Sequence, residues 1–585
     1  MNALLRLLPF LRPYRRPLWV GTLTAVVNNG IGVLAPMVLK FAVDGLQHGA
    51  TSRDLARYAL FLLGIALSAG VLRYYMRLIL IGMSRHVELD LRNAVFAHLQ
   101  GMPAAFYNRH RTGDLMARLT SDLDSVRNVL GPGIMYPIDT ITIALFSVTL
   151  MFLLSVKLTL FVLISAPLVS LTVFYLGRVT YKLHTKIQEQ YSTLTDTAQE
   201  NLSGVRVVRA YAQEDREIEK FDQINREYVR RNISMTKAQA LFMPVIFLLF
   251  EIGAALILLL GGRGIFRGEL SLGDFVAFVG YLGMLAWPMI AVGWVANLFQ
   301  RGAASMKRLS AILDMFPDIQ QPALRHVPEN VRGEITFENV RFRYDEHEPA
   351  LKNVSLTIPA GRTVAFVGRT GSGKSTLISL IPRLFDPTEG AVCIDGVATT
   401  DWDLDELRRH VGMVPQDALL FSDTLENNIL FGVPDPNPER FGDVVQISQL
   451  AKDVEEFRDG YQTMVGERGL TLSGGQKGRT ALARALMRDP KILILDDALA
   501  AVDTHTEEEI LRRLRRFMRG RTSILISHRV STVRHADEIF VLDRGEIIEQ
   551  GTHDELVAAG GYYAELERMQ RLEAELEEME VEAEP

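Results

Sequence analysis

The sequence predicts two domains of different class, a helical membrane domain followed by a soluble α/β domain. Three observations in the 585-residue chain support this division. The first half contains six apolar runs that are long enough to cross a bilayer, which takes about 20 residues per helix. Beyond residue 332 the pattern changes to short β-branched strands that alternate with amphipathic helices. A glycine-rich loop, Gly368–Ser375, joins one of these strands to a helix.

The expected domain boundaries follow these changes in composition. Residues 1–16 are basic and amphipathic, which predicts an interfacial helix on the cytoplasmic leaflet, with a frayed charged terminus as the alternative. Residues 17–310 form the membrane domain, and 311–332 form a linker that contains prolines. Residues 333–565 form the soluble domain. The end of the chain, 566–585, is strongly acidic and is expected to be a helix or a solvated tail.

The predicted spans are separated by connections of very different charge. Lys and Arg concentrate at the N-terminus and in the long connections after the second and fourth spans, while the other connections hold few basic residues. By the positive-inside rule, both termini and both long connections are expected to lie in the cytoplasm. The expected location is the cytoplasmic membrane. Any single run could be a buried soluble helix, but six in succession favour a membrane domain. The spans lie at approximately 17–46, 55–82, 128–156, 158–182, 238–262 and 270–300.

The two long connections are predicted to continue the membrane helices into the cytoplasm, because polar and apolar residues alternate in them at helical spacing. Each is interrupted by a short break, one at Phe106–Asp114 and the other at Glu200–Gly204, followed by Arg206–Ala212. A turn at the far end of an intracellular hairpin is well placed to contact a soluble domain. An ordinary helix turn is the alternative.

Several polar side chains fall inside the predicted spans. A polar or charged group is costly in hydrocarbon, so these residues are expected to face the bundle interior or a water-filled cavity. Hydrogen bonds between helices are the alternative, above all for the asparagines. A carboxylate is harder to bury than an amide, which makes Glu251 the sharper signal. The candidate cavity residues are Asn28, Asn29, Asp139 and Glu251.

The glycine-rich loop matches G-x-x-x-x-G-K-[ST] in the required context, after the strand Thr363–Val367 and before a helix. Its glycines let backbone N–H groups cradle phosphates. Lys374 is predicted to reach the β- and γ-phosphates, and the Ser375 hydroxyl to bind Mg²⁺. The sequence therefore predicts an ATP and Mg²⁺ site at residues Gly368, Arg369, Thr370, Gly371, Ser372, Gly373, Lys374, Ser375 and Thr376.

Two further segments complete the nucleotide chemistry. The apolar strand Ile492–Leu495 ends in Asp496, whose carboxylate is predicted to face the Mg²⁺. A serine and two glycines precede the apolar helix Thr480–Met487 and predict a second phosphate-binding helix start. Since one loop already serves one triphosphate, a second face implies ATP held between two domains. This second segment is Leu472, Ser473, Gly474, Gly475 and Gln476.

The sequence LSGGQ, placed between the phosphate loop and the acidic strand, resembles the signature of the ABC superfamily. Six spans followed by one nucleotide-binding domain is the layout of an ABC exporter half-transporter, so the resemblance covers nearly the whole chain. It implies an ABC-type ATPase with a helical subdomain. It also implies that the breaks at Phe106–Asp114 and Glu200–Ala212 are coupling helices that dock on ATPase domains.

The resemblance also assigns roles by position. Tyr344 matches the aromatic residue that stacks on adenine. Gln416 matches the glutamine that senses Mg²⁺ and the attacking water, and Asp503 the aspartate whose loop crosses to the partner domain. His528 matches the histidine that contacts the γ-phosphate.

Asp497 departs from the family pattern, in which a glutamate usually polarises the attacking water. Aspartate is shorter by one methylene, which withdraws the carboxylate by about 1 Å, whereas proton abstraction needs heavy atoms within about 3 Å. A misplacement of this size can cost about 100-fold in rate. Asp497 therefore resembles the degenerate residue of asymmetric bacterial multidrug exporters, which favours a heterodimer. A slow homodimer in which aspartate suffices is the alternative.

These features predict ATP-driven export of small amphipathic substrates, such as drugs, lipids or peptides, by a pair of half-transporters. A mainly regulatory ATP-binding subunit and an ATP-gated channel or sensor without net export are the competing readings. The net charge of −6 argues against a nucleic-acid partner. The single cysteine excludes an intrachain disulfide.

Overall fold

The computed structural model describes residues 2–345, 347–466, 469 and 471–583. The chain divides into two compact units. The first comprises Met1–Gly101 and His110–Phe316, and the second comprises Met102–Arg109 and Pro317–Pro585. The first unit is helical and the second carries two β-sheets, which confirms the predicted fold class.

The first thirteen helices include all those of the first unit and one short helix of the second, α6. A 3₁₀ turn at Arg12–Tyr14 and a π-helical turn at Arg118–Asp122 interrupt the series. The helices are α1 Asn2–Leu5, α2 Leu8–Leu11, α3 Arg15–Gly32, α4 Ala35–Gln47, α5 Ser52–Gln100, α6 Ala104–Arg109, α7 Thr112–Ala117, α8 Leu123–Leu130, α9 Pro132–Leu154, α10 Val156–Ser203, α11 Val205–Ala210, α12 Glu214–Phe266 and α13 Leu272–Leu313.

Five helical stretches of the described chain are long and apolar enough to cross a membrane, and they contain the first, second, third, fifth and sixth predicted spans to within two residues at the ends. The fourth, 158–182, lies within α10. The side chains of residues 162, 164–170, 173 and 174 fall outside the described part of the structure. The stretches are Ala3–Gln47, Ser52–Gln100, Thr112–Leu154, Glu214–Phe266 and Leu272–Leu313.

Several of these helices are much longer than a bilayer is thick. α5 has 49 residues and α12 has 53, which corresponds to about 74 and 80 Å at 1.5 Å per residue. The hydrocarbon core takes up only about 30 Å of such a length. The long connections are therefore helical, as expected, with the short helices α6, α7 and α11 at their breaks.

The N-terminal segment differs from the single interfacial helix expected over residues 1–16. It consists of α1, α2 and the 3₁₀ turn, and α3 already begins at Arg15. Pro9 and Pro13 account for the interruptions, because proline disfavours helical geometry at the preceding residue and is tolerated only in a first turn. The segment is held within the first unit by Arg6, whose guanidinium lies 2.5 Å from a carboxylate oxygen of Asp314.

The second unit contains an antiparallel sheet in the order β2-β1-β4-β5 and a larger sheet in the order β10-β9-β3-β8-β7-β6. In the larger sheet only the β10 edge is antiparallel. The strands are β1 Ile335–Phe342, β2 Leu351–Ile358, β3 Thr363–Val367, β4 Glu389–Ile394, β5 Val397–Ala398, β6 Val411–Val414, β7 Ile492–Asp496, β8 Thr522–Ile526, β9 Glu538–Asp543 and β10 Glu546–Gly551.

Helices of the second unit cover the larger sheet and form a separate cluster in which α16, α17 and α18 pack on α19. The strands β7 and β8 are buried along their whole length, so their side chains form the core of this unit. The helices are α14 Lys374–Leu380, α15 Leu404–His410, α16 Leu425–Leu430, α17 Pro438–Ile447, α18 Leu450–Glu456, α19 Gly474–Met487, α20 Thr504–Met518, α21 Val530–Val533, α22 His553–Ala559 and α23 Tyr562–Ala583.

Candidate nucleotide site

The carboxyl ends of β3, β6, β7 and β8 meet at one edge of the larger sheet. In open parallel sheets this edge is where ligands bind. It carries an open cleft of about 280 Å³, which brings together residues that are far apart in the sequence. The lining residues are Tyr344, Ala350, Thr370, Gly371, Ser372, Gly373, Lys374, Ser375, Thr376, Gln416, Asp496, Asp497, Ile526 and His528.

The phosphate loop folds tightly between β3 and α14, and two of its glycines are required by the geometry. Gly368 has φ +150°, and a Cβ there would lie 2.1 Å from the Leu542 carbonyl oxygen. Gly373 has φ +104°, and its Cβ would lie 2.6 Å from the Ala350 carbonyl oxygen. Side chains at either position would force the loop open. The two glycines therefore permit the tight turn in which backbone N–H groups can approach a phosphate.

Lys374 begins α14 and is buried, with 6% of its surface exposed. Its ammonium donates to the carbonyl oxygens of Gly368, at 2.8 Å, and Arg369, at 2.9 Å. Burial lowers the pKa of Lys374, and the carboxylates of Asp496 and Asp497 oppose this shift. The ammonium group is therefore held within the loop, where it can form charge-assisted hydrogen bonds with phosphate oxygens.

Asp496 ends β7 and is buried, with 4% of its surface exposed. Burial raises the pKa of its carboxyl group, the Ser375 hydroxyl that donates to it lowers that pKa, and the neighbouring Asp497 raises it. Carboxylate, hydroxyl and amide oxygens suit Mg²⁺, which also takes phosphate oxygens and water. No group of three or more His, Cys, Asp or Glu side chains that could hold a metal occurs among the described residues. Mg²⁺ would therefore depend on Ser375, Asp496, Gln416 and the nucleotide.

Asp497, Gln416 and His528 surround the same cleft on short segments beyond three strand ends. Asp497 has φ +49°, in the left-handed region, and its N–H donates to the Ile526 carbonyl oxygen at 2.9 Å. Aspartate is one of the few residues that adopt this conformation readily. Gln416 and His528 are exposed to the cleft side, so both side chains are available to a ligand.

Tyr344 follows β1 and also lines the cleft. Its hydroxyl lies 3.1 Å from the Thr376 hydroxyl, and its ring meets those of Phe342 and Phe385 edge-on, with centroids 4.8 and 5.5 Å away. These contacts fix the ring but leave 38% of the residue exposed. A fixed and partly exposed aromatic face is suited to stacking on a base.

The predicted signature segment is not part of this cleft, since none of Leu472–Gln476 lines it. Ser473 caps α19: its hydroxyl accepts from the Gln476 N–H at 3.2 Å, and the Gln476 side chain accepts from the Ser473 N–H at 3.0 Å. Gly474 is exposed at the helix start. Asp503 likewise caps α20 through the Thr506 N–H.

The short helix α6, from the first predicted break, belongs to the second unit. Phe106 is buried, and Arg109 forms an ion pair with Asp345, the residue after Tyr344. A cavity of about 190 Å³ lies between α6 and the residues around Tyr344 and Phe385. Within this unit, α6 therefore contacts the segment that carries the candidate adenine-stacking residue.

Three of the four candidate cavity residues form one hydrogen-bonded cluster in the first unit. Asn29 donates from Nδ2 to Asp139 Oδ1 at 2.9 Å and to the Thr142 hydroxyl at 2.7 Å, and Asn28 donates to Asn29 at 3.1 Å. The cluster joins α3 to α9, and Asn28 Oδ1 is buried without a partner. Glu251 stands apart from the cluster on α12, with its side chain exposed.

Two side chains that the sequence did not single out hold the segment around His528. The buried Glu507 of α20 accepts from the Arg529 guanidinium and from the Thr532 hydroxyl. Gln570 of α23 bonds to the backbone on both sides of Arg529. Neither residue lies in a recognisable motif, so only the three-dimensional structure connects them with this site.

Both units of the chain resemble known proteins. Residues 18–289 match the family described as "ABC transporter transmembrane region", and residues 351–500 match the family described as "ABC transporter". The chain is 38% identical to the probable multidrug resistance ABC transporter ATP-binding/permease protein YheI of Bacillus subtilis, over 97% of each chain. It is 37% identical to the multidrug resistance-like ATP-binding protein MdlA of Escherichia coli, over 97% of this chain and 96% of that one.

The fold of the chain is also similar to that of a solved structure. The fold is similar to that of a bacterial Atm1-family ABC exporter with ATP bound, with a TM-score of 0.80 and 28% identity, over 95% of this chain and 99% of the other.

Proposed function

This chain belongs to the ABC transporter family, and we propose that it is one half of a heterodimeric exporter whose own ATP site is degenerate. Its second unit is an ABC-type ATPase domain, and ATP hydrolysis there is coupled to transport through the membrane domain. ABC exporters of this layout work as dimers in a membrane. The proposal concerns the asymmetry of the dimer, the roles of the residues and the substrate.

One observation carries the asymmetry. Asp497 lines a cleft in which the other expected participants, Lys374, Ser375, Gln416 and His528, are all present. A carboxylate shortened by one methylene withdraws by about 1 Å from a water that it would activate, and such a displacement can cost about 100-fold in rate. The site is therefore built to hold MgATP and turn it over slowly.

The position of the signature segment supports a head-to-tail dimer. Ser473 and Gly474 are exposed at the start of a 14-residue helix and lie outside their own cleft. An exposed helix start of this kind is suited to an anion that another molecule presents. In the proposed dimer, Ser473–Gln476 closes over the nucleotide of the partner, where a glutamate performs the catalysis.

We assign the following work to the residues of this chain. Tyr344 stacks on the adenine, and the loop amides and Lys374 hold the phosphates. Ser375, Asp496 and Gln416 hold the Mg²⁺, which neutralises charge between the β- and γ-phosphates when bound. His528 contacts the γ-phosphate, and Asp503 lies in the loop that crosses to the partner. Through the Arg109–Asp345 ion pair, α6 couples nucleotide binding in the cleft to movement of the membrane helices.

The substrate is proposed to be a small amphipathic molecule, such as a drug, lipid or peptide, that leaves the cytoplasm across the cytoplasmic membrane, with both termini of the chain inside. Two relatives of the chain are named as multidrug resistance proteins. The cluster of Asn28, Asn29 and Asp139 offers an unpartnered buried acceptor at Asn28 Oδ1. Polar groups of this kind inside a membrane domain are typical of a transport pathway.

A homodimer is the second candidate function, and a backbone observation favours it. Asp497 has φ +49°, a conformation that aspartate adopts more readily than most residues. A local reason for aspartate therefore exists beside the catalytic one. In a homodimeric exporter of drugs or lipids, the same residue would serve both sites and activate water itself.

The test is purification of the tagged chain from its native host, followed by ATPase assays of Asp497 variants. The heterodimer predicts that a second, related chain co-purifies in equal amount and that Asp497→Asn changes the rate less than twofold. Asp497→Glu should raise the rate by adding a second competent site. If the chain purifies alone, hydrolyses ATP rapidly and loses this activity with Asp497→Asn, the homodimer is correct.

A further inference from the structure

The side chain of Gln570 grips the backbone on both sides of Arg529. Its Nε2 donates to the carbonyl oxygen of His528 at 2.6 Å, and its Oε1 accepts from the N–H of Val530 at 2.8 Å. One primary amide thus uses its donor and its acceptor on two peptide groups of the same turn. Gln570 is half-buried; its bond to Val530 is partly shielded from water, and its bond to His528 is exposed.

The gripped turn needs such support. It connects β8 to α21, a helix of only four residues, and the first N–H groups of a helix have no partner within it. Val530 begins α21, and no side chain of Arg529 caps it. Gln570 supplies the missing acceptor from another helix. Because the other amide atom holds the His528 carbonyl, the backbone of His528 is fixed where its side chain enters the cleft.

The helix that carries Gln570 is itself firmly placed. Tyr563, near the start of α23, is fully buried, and its hydroxyl lies 2.9 Å from His553 Nδ1. The N–H groups of Tyr562 and Tyr563 donate to the Glu549 carboxylate, at 2.5 and 3.1 Å. The Tyr562 ring lies under the guanidinium of Arg369, 5.8 Å from centroid to carbon. The first turns of α23 therefore contact both the phosphate loop and the His528 turn.

We propose that Gln570 is a positioning residue that holds His528 in the geometry for contact with the γ-phosphate of ATP. The inference rests on the proposed role of His528 and adds a function for α23 that no motif of the chain indicates. ADP lacks the γ-phosphate. Loss of the grip should therefore weaken the binding of ATP while leaving the binding of ADP almost unchanged.

This selectivity separates positioning from a merely structural role. If Gln570 only anchored α23, its loss would disturb the neighbouring phosphate loop through Tyr562 and Arg369. ATP and ADP would then lose affinity together. If it acts through His528, their ratio changes, and the change disappears once His528 has no imidazole.

The experiment uses the full-length chain in membranes, in whatever assembly it forms, and labels its own site with an azido-ATP analogue. Competition by ATP and by ADP gives the preference for ATP. His528→Ala sets the largest possible loss of this preference. We expect Gln570→Ala to reduce it about 3- to 10-fold, the effect of one or two hydrogen bonds. Gln570→Glu keeps the acceptor for Val530 and should lie between Gln570→Ala and the unaltered chain.

Two controls complete the design. Met569→Ala alters an exposed neighbour on the same helix and should leave the preference unchanged. In the His528→Ala background, Gln570→Ala should cause no further loss.

The outcomes distinguish this inference from the assignment of His528. If His528→Ala lowers the ATP preference and Gln570→Ala does not, the positioning role is overturned while the His528 role stands. If Gln570→Ala weakens ATP and ADP equally, the residue is structural and the inference is wrong. If His528→Ala itself has no effect on the preference, the γ-phosphate contact is wrong and the inference falls with it.

Discussion

The phosphate loop and the signature segment consist of the same kinds of residue but have different surroundings in the structure. Both are glycine- and serine-containing loops that open a helix, α14 in one case and α19 in the other. Around Lys374, three other strand ends contribute Gln416, Asp496 and His528 to one cleft. The side chain of Ser473 is engaged in a capping box with Gln476 and lies outside that cleft. The phosphate loop therefore belongs to a cleft formed within this chain, whereas the signature segment would meet a nucleotide only in the proposed dimer.

The short helices α6 and α11, at the two breaks in the long connections, show a similar contrast. The first, α6, has a buried Phe106 and an ion pair from Arg109 to Asp345, both within the second unit. The second, α11, has no buried residue, and Val207 and Tyr211 are 62% and 73% exposed. An exposed apolar turn of this kind is suited to contact with another surface. Within this chain, one turn has its partner and the other is suited to a second half-transporter.

The largest expected effect comes from the segment outside the cleft. Ser473→Arg should lower the ATPase rate of the assembled transporter about 100-fold or more, because it blocks a helix start that closes over the partner's phosphates. Labelling of this chain's own site by azido-ATP should persist. A loss of labelling at this chain's own site would break the comparison, since it would place the segment in that site.

Loss of a helix cap provides the matched control for that variant. Thr552 caps α22 through a capping box with Glu555, in the same manner as Ser473 caps α19. Removing such a cap costs about 1 kcal/mol of stability. Thr552→Ala and Ser473→Ala should therefore lower the unfolding temperature similarly, and only the Ser473 variant should lower the ATPase rate.

The second prediction concerns the cleft around the phosphate loop. Lys374→Ala should weaken azido-ATP labelling of this chain about 10- to 100-fold, because a charge-assisted bond to the phosphates is lost. Lys491→Ala, an exposed lysine just before β7, should leave labelling unchanged. Undiminished labelling of the Lys374 variant would contradict the assignment of the cleft.

The third prediction concerns the exposed turn. Val207→Asp should reduce transport about 5- to 10-fold, since a charge replaces an apolar contact with the partner. The residue is 62% exposed in the single chain, so folding should be unaffected. Val229→Asp, an exposed position further along α12, serves as the control in vesicle transport assays. Equal losses for both variants would mean that α11 has no special role.

The parts of the molecule that sequence patterns predicted are those with strong local signals. Five of the expected spans contain long apolar windows that the structure also identifies. The strand Thr363–Val367 has the predicted bounds, and the phosphate loop follows it directly. These features depend on hydrophobic runs and on a motif, so short stretches of sequence are sufficient to define them.

Other features depend on contacts between distant residues. The N-terminal segment was expected to be one helix, but the structure divides it near Pro9 and Pro13. Asp139 pairs with Asn29 across 110 positions of sequence, while Glu251, the sharper candidate by chemistry, stands apart from that cluster. Gln570 reaches the turn of His528 over 42 positions. Local periodicity does not encode such pairs, so the sequence alone did not reveal them.

The smallest expected effect is a change in the pH dependence of Mg²⁺ binding at the cleft around the phosphate loop. Burial raises the pKa of Asp496, and the charge of Asp497 raises it further. Mg²⁺ needs the carboxylate, so its affinity is lost as the pH falls through this raised pKa. On acidification, Mg²⁺-dependent azido-ATP labelling should therefore be lost at a higher pH than it would be if Asp496 were an exposed aspartate. Asp497→Asn removes one cause of the rise in the pKa and should shift the midpoint to lower pH by a fraction of a unit. Asp496→Asn should abolish the acid-dependent step, and a shift to higher pH with Asp497→Asn would contradict the proximity of the two carboxylates.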